Sequence, residues 1–145
     1  MMVVWAFIGS LCAGMLFNIS KKNLFWSGLA GTLGWLMFAG VYEVIPNKVL
    51  ATFFGAAGVG VFSELMARIR KSPATVFSVP GVFAIVPGIA AYQTVQYVVD
   101  NQMEKAAISA VETMTSAGAI AFGILLVTSV FRFAARLKEK WDHDR

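Results

Sequence analysis

The sequence has very few residues of the kinds that carry out catalysis or bind metals. Its 145 residues include one cysteine, Cys12, and one histidine, His143. A single cysteine cannot form an intramolecular disulfide, and no zinc-ligand spacing surrounds it. No nucleophile-base pair and no metal-binding set is visible in the apolar part of the chain. The sequence therefore predicts no enzyme, no metal and no cofactor, and we expect Cys12 to be a buried, unreactive thiol.

Charged side chains are also scarce, at 14% of the chain, whereas an ordinary soluble domain has about 25%. Hydrophobic residues make up 58%, and the mean hydropathy is +0.71. The net charge is +4, but the basic residues lie at the ends of apolar runs, so nucleic acid is not indicated as a partner. The 13 glycines suit helices that pack closely in lipid. The composition predicts an all-α integral membrane protein that lies in the lipid bilayer.

Five apolar segments are separated by short polar stretches, at 2–17, 24–44, 49–66, 76–99 and 106–133. Crossing the ~30 Å hydrocarbon core takes roughly 20 helical residues, so each segment is close to the length of one span. No basic residue precedes the first segment, which favours a retained helix over a signal peptide. We therefore predict about five transmembrane helices in a domain of residues 1–137, followed by a polar cytoplasmic tail at 138–145.

Basic residues are distributed asymmetrically over the predicted loops. If all five segments span, one side receives only Lys48 and Lys105. The other side receives Lys21, Lys22, Arg68, Arg70, Lys71, Arg132, Arg136, Lys138, Lys140 and Arg145. Because cytoplasmic loops carry an excess of Lys and Arg, this distribution predicts a multi-pass protein with its N-terminus outside and its C-terminus in the cytoplasm.

The fourth segment contains two Pro-Gly pairs, Pro80-Gly81 and Pro87-Gly88. Proline lacks a backbone donor and clashes with the preceding turn of a helix. In a membrane the freed backbone groups must be satisfied by protein or must line a water-filled cavity, and interrupted helices form substrate sites in transporters. We therefore predict that the fourth helix is broken at both pairs and that these four residues bind substrate. The alternative is a kinked helix that only packs.

Polar residues follow the second pair and also open the fifth segment. Tyr92 and Gln93 lie about one turn after that pair, and we predict that both line a cavity. A second group of polar residues starts about two turns inside the fifth segment and consists of Glu112, Thr113, Thr115 and Ser116. An unpaired charge in the hydrocarbon is costly, so Glu112 is either a substrate-binding or proton-coupling group or a solvated residue beyond the bilayer. The predicted substrate-binding residues are then Pro80, Gly81, Pro87, Gly88, Tyr92, Gln93, Glu112, Thr113 and Thr115.

The stretch VFSVPGVFAIVPGIAAY, at 76–92, resembles the signature of the C-terminal half of the threonine/serine exporter family. The most specific part is the Pro-Gly-x-x-x-Tyr element at 87–92. Weaker similarities to the family are found at Phe17-Asn18, Gly31, Gly34-Trp35, the turn 71–77 and the pattern TSAGAIAxG at 115–123. Together these similarities cover nearly the whole chain.

The resemblance implies a secondary exporter of small polar metabolites at the plasma membrane. Threonine and serine are the expected substrates, and succinate or another small carboxylate is the alternative. In this family such a half also occurs as the small subunit of a split two-component exporter, so we expect a larger membrane subunit to supply the N-terminal half. A non-transporting scaffold or assembly protein, and a homo-oligomer that forms a channel, are the alternatives from other classes.

Overall fold

The regular structure consists of six α-helices over the residues that the computed structural model describes, 1–143, with side chains described up to Leu137. The helices are α1 (Met2–Leu16), α2 (Lys21–Val44), α3 (Lys48–Arg70), α4 (Thr75–Val82), α5 (Gly88–Val99) and α6 (Met103–His143). The side chains of the predicted polar tail, 138–145, lie outside the described residues, as does the backbone of its last two.

Over the described part of the chain, three helices are long and apolar enough to cross a membrane: α2, α3 and the part of α6 over Met103–Leu137. The apolar α1 has only 15 residues, and α4 and α5 are shorter than the roughly 17 residues that a span needs. The all-helical fold and these apolar helices agree with the predicted class of membrane protein. The count of five transmembrane helices stays a prediction.

The fourth predicted helix forms two helices, with a non-helical segment at 83–87 between them. Pro80 and Gly81 lie inside α4, so a break at the first Pro-Gly pair is not confirmed. Pro80 is tolerated there because it removes only one backbone hydrogen bond from a helix of eight residues. Pro87 is the N-cap of α5, with φ −75° and ψ 54°, so the second pair borders the interruption.

Helices α2 and α3 form the centre of the bundle. Helices α1 and α4 pack against α2, α6 packs against α3, and α5 packs against α6. The central pair approaches closely at its glycines: a Cβ atom at Gly55 would lie 3.0 Å from the carbonyl oxygen of Gly34. Because lipid tails are as apolar as leucine, close backbone packing holds such a bundle together better than burial of large side chains.

Large apolar side chains lie on the outside of this bundle. Trp5, Leu16 and Phe133 are each more than half exposed, as suits side chains that face lipid. Cys12 is also exposed, on α1, so its predicted burial is wrong. An apolar run in a membrane helix covers both its protein-facing and its lipid-facing sides, and its composition therefore does not tell which residues are buried.

The contact between α3 and α6 depends on Gly123. A Cβ atom there would lie 2.8 Å from the carbonyl oxygen of Phe53 and 3.2 Å from the amide nitrogen of Ala57, and these are backbone atoms of a packed helix. We therefore expect Gly123→Ala to lower the stability of the detergent-purified protein by about 1–3 kcal/mol, as overpacking does. Thermal unfolding measures this change. Gly118→Ala is the control, because a Cβ atom there meets nothing within 4 Å; equal losses in the two variants would contradict the prediction.

Hydrogen bonds fasten one end of the bundle. The Arg70 guanidinium donates to the Asn23 side-chain oxygen at 3.2 Å and to the Lys22 carbonyl at 2.9 Å, which joins α3 to α2. Arg68 donates to the Phe131 carbonyl at 3.2 Å, which joins α3 to α6. The first residues of α2, the last of α3 and the later part of α6 therefore meet at the same end, and the N-terminus of α3 lies at the other.

Candidate functional site

A cavity of about 300 Å³ lies beside the interruption between α4 and α5. Its wall combines residues of α2, α3 and α6 with the interruption and the first turn of α5. Ligand pockets have volumes of about 300–1,000 Å³, so this cavity suits a small ligand. Its lining residues are Trp35, Phe38, Lys48, Thr52, Ser116 and the continuous stretch 84–90.

The interruption leaves backbone carbonyl groups without partners. In a continuous helix the carbonyl oxygens of 83–85 would accept from the amides of residues 87–89. Pro87 has no amide hydrogen, however, and Gly88 donates instead to the Val86 carbonyl at 2.8 Å. Within the described part of the chain, no protein group donates to the carbonyl oxygens of 83–85. Residues 84 and 85 line the cavity, which therefore has hydrogen-bond acceptors available at its wall.

The first turn of α5 offers hydrogen-bond donors at the same cavity. No side chain caps this helix, and the amides of Ile89 and Ala90 find no acceptor among the described residues. By contrast, the Asn47 side chain accepts from the first amides of α3. Free amides and the positive end of the helix dipole attract anions. A Cβ atom at Gly88 would meet nothing within 4 Å, so the space next to this turn is open.

Lys48 places a positive charge at the cavity wall. It is the first residue of α3, and its ammonium group forms a salt bridge with Glu112 of α6. The side chains are 49% and 42% exposed, so the pair adds no more than about 1 kcal/mol to stability. Lys48 and the first turn of α5 both favour an anion, whereas the unpaired carbonyl groups favour a cation.

Two buried hydroxyl groups complete the polar part of the wall. Thr52 is 2% exposed, lies one turn after Lys48 on α3, and donates to the Lys48 carbonyl at 2.7 Å. Ser116, on α6, is 1% exposed and has no hydrogen-bond partner in the described structure. Buried polar groups are nearly always hydrogen-bonded, so the Ser116 hydroxyl, at the cavity wall, has a donor and an acceptor that no described residue uses.

The predicted site residues fall in different places. Pro87 and Gly88 line the cavity, and Glu112 is joined to it through Lys48. Pro80 and Gly81 are buried in α4 and do not line it. A Cβ atom at Gly81 would lie 2.8 Å from a Val59 methyl group, so this glycine permits close packing of α4 against α3. A role of Pro80 and Gly81 in binding stays a prediction.

The other predicted residues lie on α5 and α6 outside the cavity. Gln93 and Glu112 line a smaller groove of about 210 Å³ between these helices. Tyr92 is 68% exposed on the surface of α5. The hydroxyl groups of Thr113 and Thr115 each donate at 2.8 Å to a carbonyl one turn earlier in α6. Their predicted roles also stay predictions.

Lys48, Thr52 and Ser116 are cavity residues that were not among the predicted substrate-binding residues. Lys48 entered only as a loop charge, because its pairing with a residue 64 positions later cannot be read from the sequence. The sequence does contain a signal for Ser116: it lies seven residues before Gly123, and residues seven apart share one helix face. In the structure both residues are buried, whereas the neighbouring Thr115 is exposed.

Known proteins are similar to this chain over most of its length. A family model described as "Threonine/Serine exporter, ThrE" matches residues 2–130, which include every residue that lines the cavity. A curated protein of Mycobacterium tuberculosis (strain ATCC 25618 / H37Rv), named "Probable threonine/serine exporter", is 25% identical over 141 residues. That alignment covers 92% of this chain and 27% of the relative, so the chain spans about a quarter of the relative's length. No solved structure matches the chain.

Proposed function

Because this chain belongs to the threonine/serine exporter family, we propose that it is the small membrane subunit of a secondary exporter with threonine and serine as substrates. Family membership and the apolar helices make it a membrane protein. The substrate class is inferred from the cavity beside residues 83–87. In this cavity, hydrogen-bond acceptors that favour a cation lie close to donors that favour an anion.

An amino acid carries two charged groups, and the cavity offers partners for both. The α-carboxylate needs donors, which are the Lys48 ammonium group and the free amides of Ile89 and Ala90. The α-ammonium group needs acceptors, which are the unpaired carbonyl oxygens of 83–85. Interrupted helices in other transporters divide these tasks in the same way, with helix N-termini facing anions and unwound carbonyls binding cations.

We propose that a larger membrane subunit supplies the rest of the transport pathway. The chain corresponds to only 27% of the curated relative's length. In addition, α5 packs against α6 but exposes Tyr92, Gln93 and Gln96. Polar side chains at membrane depth are costly in lipid. A helix of the partner that covers this part of α5 would remove them from the hydrocarbon.

The proposed location is the plasma membrane, with the N-terminus outside. The orientation is supported by the end of the bundle where Arg68 and Arg70 hold α3 to α6 and α2, because most of the basic residues are near that end. By the positive-inside rule that end faces the cytoplasm. The cavity, near the N-terminus of α3, then lies toward the external side.

Efflux from cells tests the proposed function. The chain is co-expressed with the larger exporter half of its own organism, and the release of labelled threonine, serine and succinate is followed. We expect faster release of threonine and serine only when both proteins are in the membrane. Release of succinate alone would favour the carboxylate alternative. Unchanged release of all three, with both proteins inserted, would contradict the exporter proposal.

A further inference from the structure

Two hydroxyl groups of the cavity wall are not used in binding the charged ends of an amino acid. We infer that Thr52 and Ser116 form a subsite that binds the side-chain hydroxyl of the substrate and selects against substrates that lack it. This inference rests on the proposed export of amino acids, and it assigns the selection between substrates to two particular residues.

Ser116 differs from the three hydroxyl residues that precede it on α6. Ser109 donates across the helix interface to the Ala90 carbonyl at 2.9 Å, and Thr113 and Thr115 donate to their own helix. The Ser116 hydroxyl, by contrast, has no protein partner among the described residues although it is buried at the cavity.

The hydrogen-bonding capacities of the two side chains are complementary to an alcohol. Thr52 has committed its hydrogen to the Lys48 carbonyl, so toward the cavity its oxygen only accepts. Ser116 has both its hydrogen and its lone pairs available. A substrate hydroxyl can donate to Thr52 and accept from Ser116. An aliphatic substrate would leave the Ser116 hydroxyl unpaired and the Thr52 oxygen without a donor in a buried place, and sites of this kind reject analogues that lack the hydroxyl.

Two other buried serines provide a comparison. Ser10 and Ser63 also have no partner among the described residues, but neither lines the cavity. Ser10 lies where α1 crosses α2, and a Cβ atom at Gly31 would come within 1.8 Å of its oxygen. There the small side chain serves close packing. Ser63, 1% exposed on α3, is a matched control because it shares the burial and the missing partner of Ser116 without bordering the cavity.

Selectivity between isosteric substrates tests the subsite. Threonine and valine differ by a hydroxyl in place of a methyl group, and serine and alanine differ by the hydroxyl alone. Efflux of each pair is compared in cells that express both exporter halves. We expect Ser116→Ala and Thr52→Val each to reduce the threonine-over-valine preference about tenfold, mainly by weakening threonine transport. Ser63→Ala should leave the preference unchanged. Thr52→Ser keeps the accepting oxygen that Thr52→Val removes, so this variant should retain the threonine preference.

Binding provides a second measurement that does not depend on transport. Trp35 lines the cavity, so its fluorescence in the purified complex can report titrations with threonine and with valine. Loss of the threonine preference in Ser116→Ala, but not in Ser63→Ala, would support the subsite by this route as well. An unchanged preference in both Ser116→Ala and Thr52→Val would overturn it, as would an equal loss in Ser63→Ala. Absence of efflux from the unsubstituted exporter would instead contradict the proposed function, and titration would still decide the subsite.

Discussion

Replacing Pro87 and Gly88 together by alanine should abolish export while the protein still inserts in the membrane. Alanine at 87 restores an amide hydrogen that can bond to the carbonyl of residue 83, which lets α4 and α5 join as one helix. A Cβ atom at Gly88 meets nothing within 4 Å, and this glycine does not have a positive φ, so the double substitution introduces neither a clash nor backbone strain.

The expected loss is large because the substitution removes both kinds of backbone partner at once. The carbonyls of 83–85 and the free amides at the start of α5 become bonded to each other, and the substrate loses them. Hydrogen bonds to charged groups contribute about 1.5–3 kcal/mol each. Loss of two such bonds amounts to about 3 kcal/mol or more, which is over 100-fold in affinity.

The control for this double variant is Pro80→Ala. Pro80 lies inside α4, where the chain is already helical, so alanine there cannot close the interruption. Threonine efflux and membrane level are measured for both variants. Full efflux from the Pro87→Ala, Gly88→Ala protein would contradict the role of the interruption. If the chain is a non-transporting scaffold, the double variant should assemble with the partner at least as well as the wild-type protein does, and efflux should stay at the wild-type level.

Lys48→Met should reduce the affinity for threonine about 10- to 150-fold, because the substrate carboxylate loses a charge-assisted hydrogen bond of about 1.5–3 kcal/mol. Stability should change little, since the salt bridge with Glu112 is about half exposed. The measurement is the concentration dependence of efflux, compared with thermal unfolding of the same variant. Lys105→Met is the matched control: it removes the same charge, but Lys105 does not line the cavity.

Glu112→Gln separates two roles for the salt bridge. If Glu112 only holds the Lys48 ammonium group, its replacement frees Lys48 for the substrate carboxylate, and affinity should be kept or increased. If Glu112 itself binds the substrate ammonium group, as the sequence suggests, affinity should fall as much as in Lys48→Met. Equal losses in Glu112→Gln and Lys48→Met would therefore show that Glu112 does more than hold Lys48, and would contradict our assignment of the substrate ammonium group to the carbonyl oxygens of 83–85 alone.

The positions of the helices follow closely from the sequence. The predicted segments 2–17, 24–44 and 49–66 correspond to α1, α2 and α3: α1 ends one residue earlier than predicted, and α2 and α3 have the predicted ends or extend a few residues further. The apolar runs set these positions because helical backbone is satisfied internally in lipid. Helix α3 continues to Arg70, past its apolar run, because backbone hydrogen bonds need no apolar side chain.

The interruption was only partly predictable. A proline without an amide hydrogen leaves a carbonyl unpaired wherever it lies, but the chain responds differently at the two Pro-Gly pairs. Pro80 stays within α4, which is packed closely through Gly81 against α2 and α3. Pro87 begins a new helix next to the cavity. Local chemistry is the same at both pairs, so the packing around each decides whether the helix continues.

The sequence by itself determined the all-helical membrane class of the protein and the approximate places of α1, α2 and α3, because these depend on local composition. Only the tertiary structure decided which polar side chains share the cavity. Thr52 and Ser116 come from α3 and α6, and Lys48 meets Glu112 across the same pair of helices. Such neighbours depend on how two helices cross and on their relative register, which the pattern within either helix does not specify.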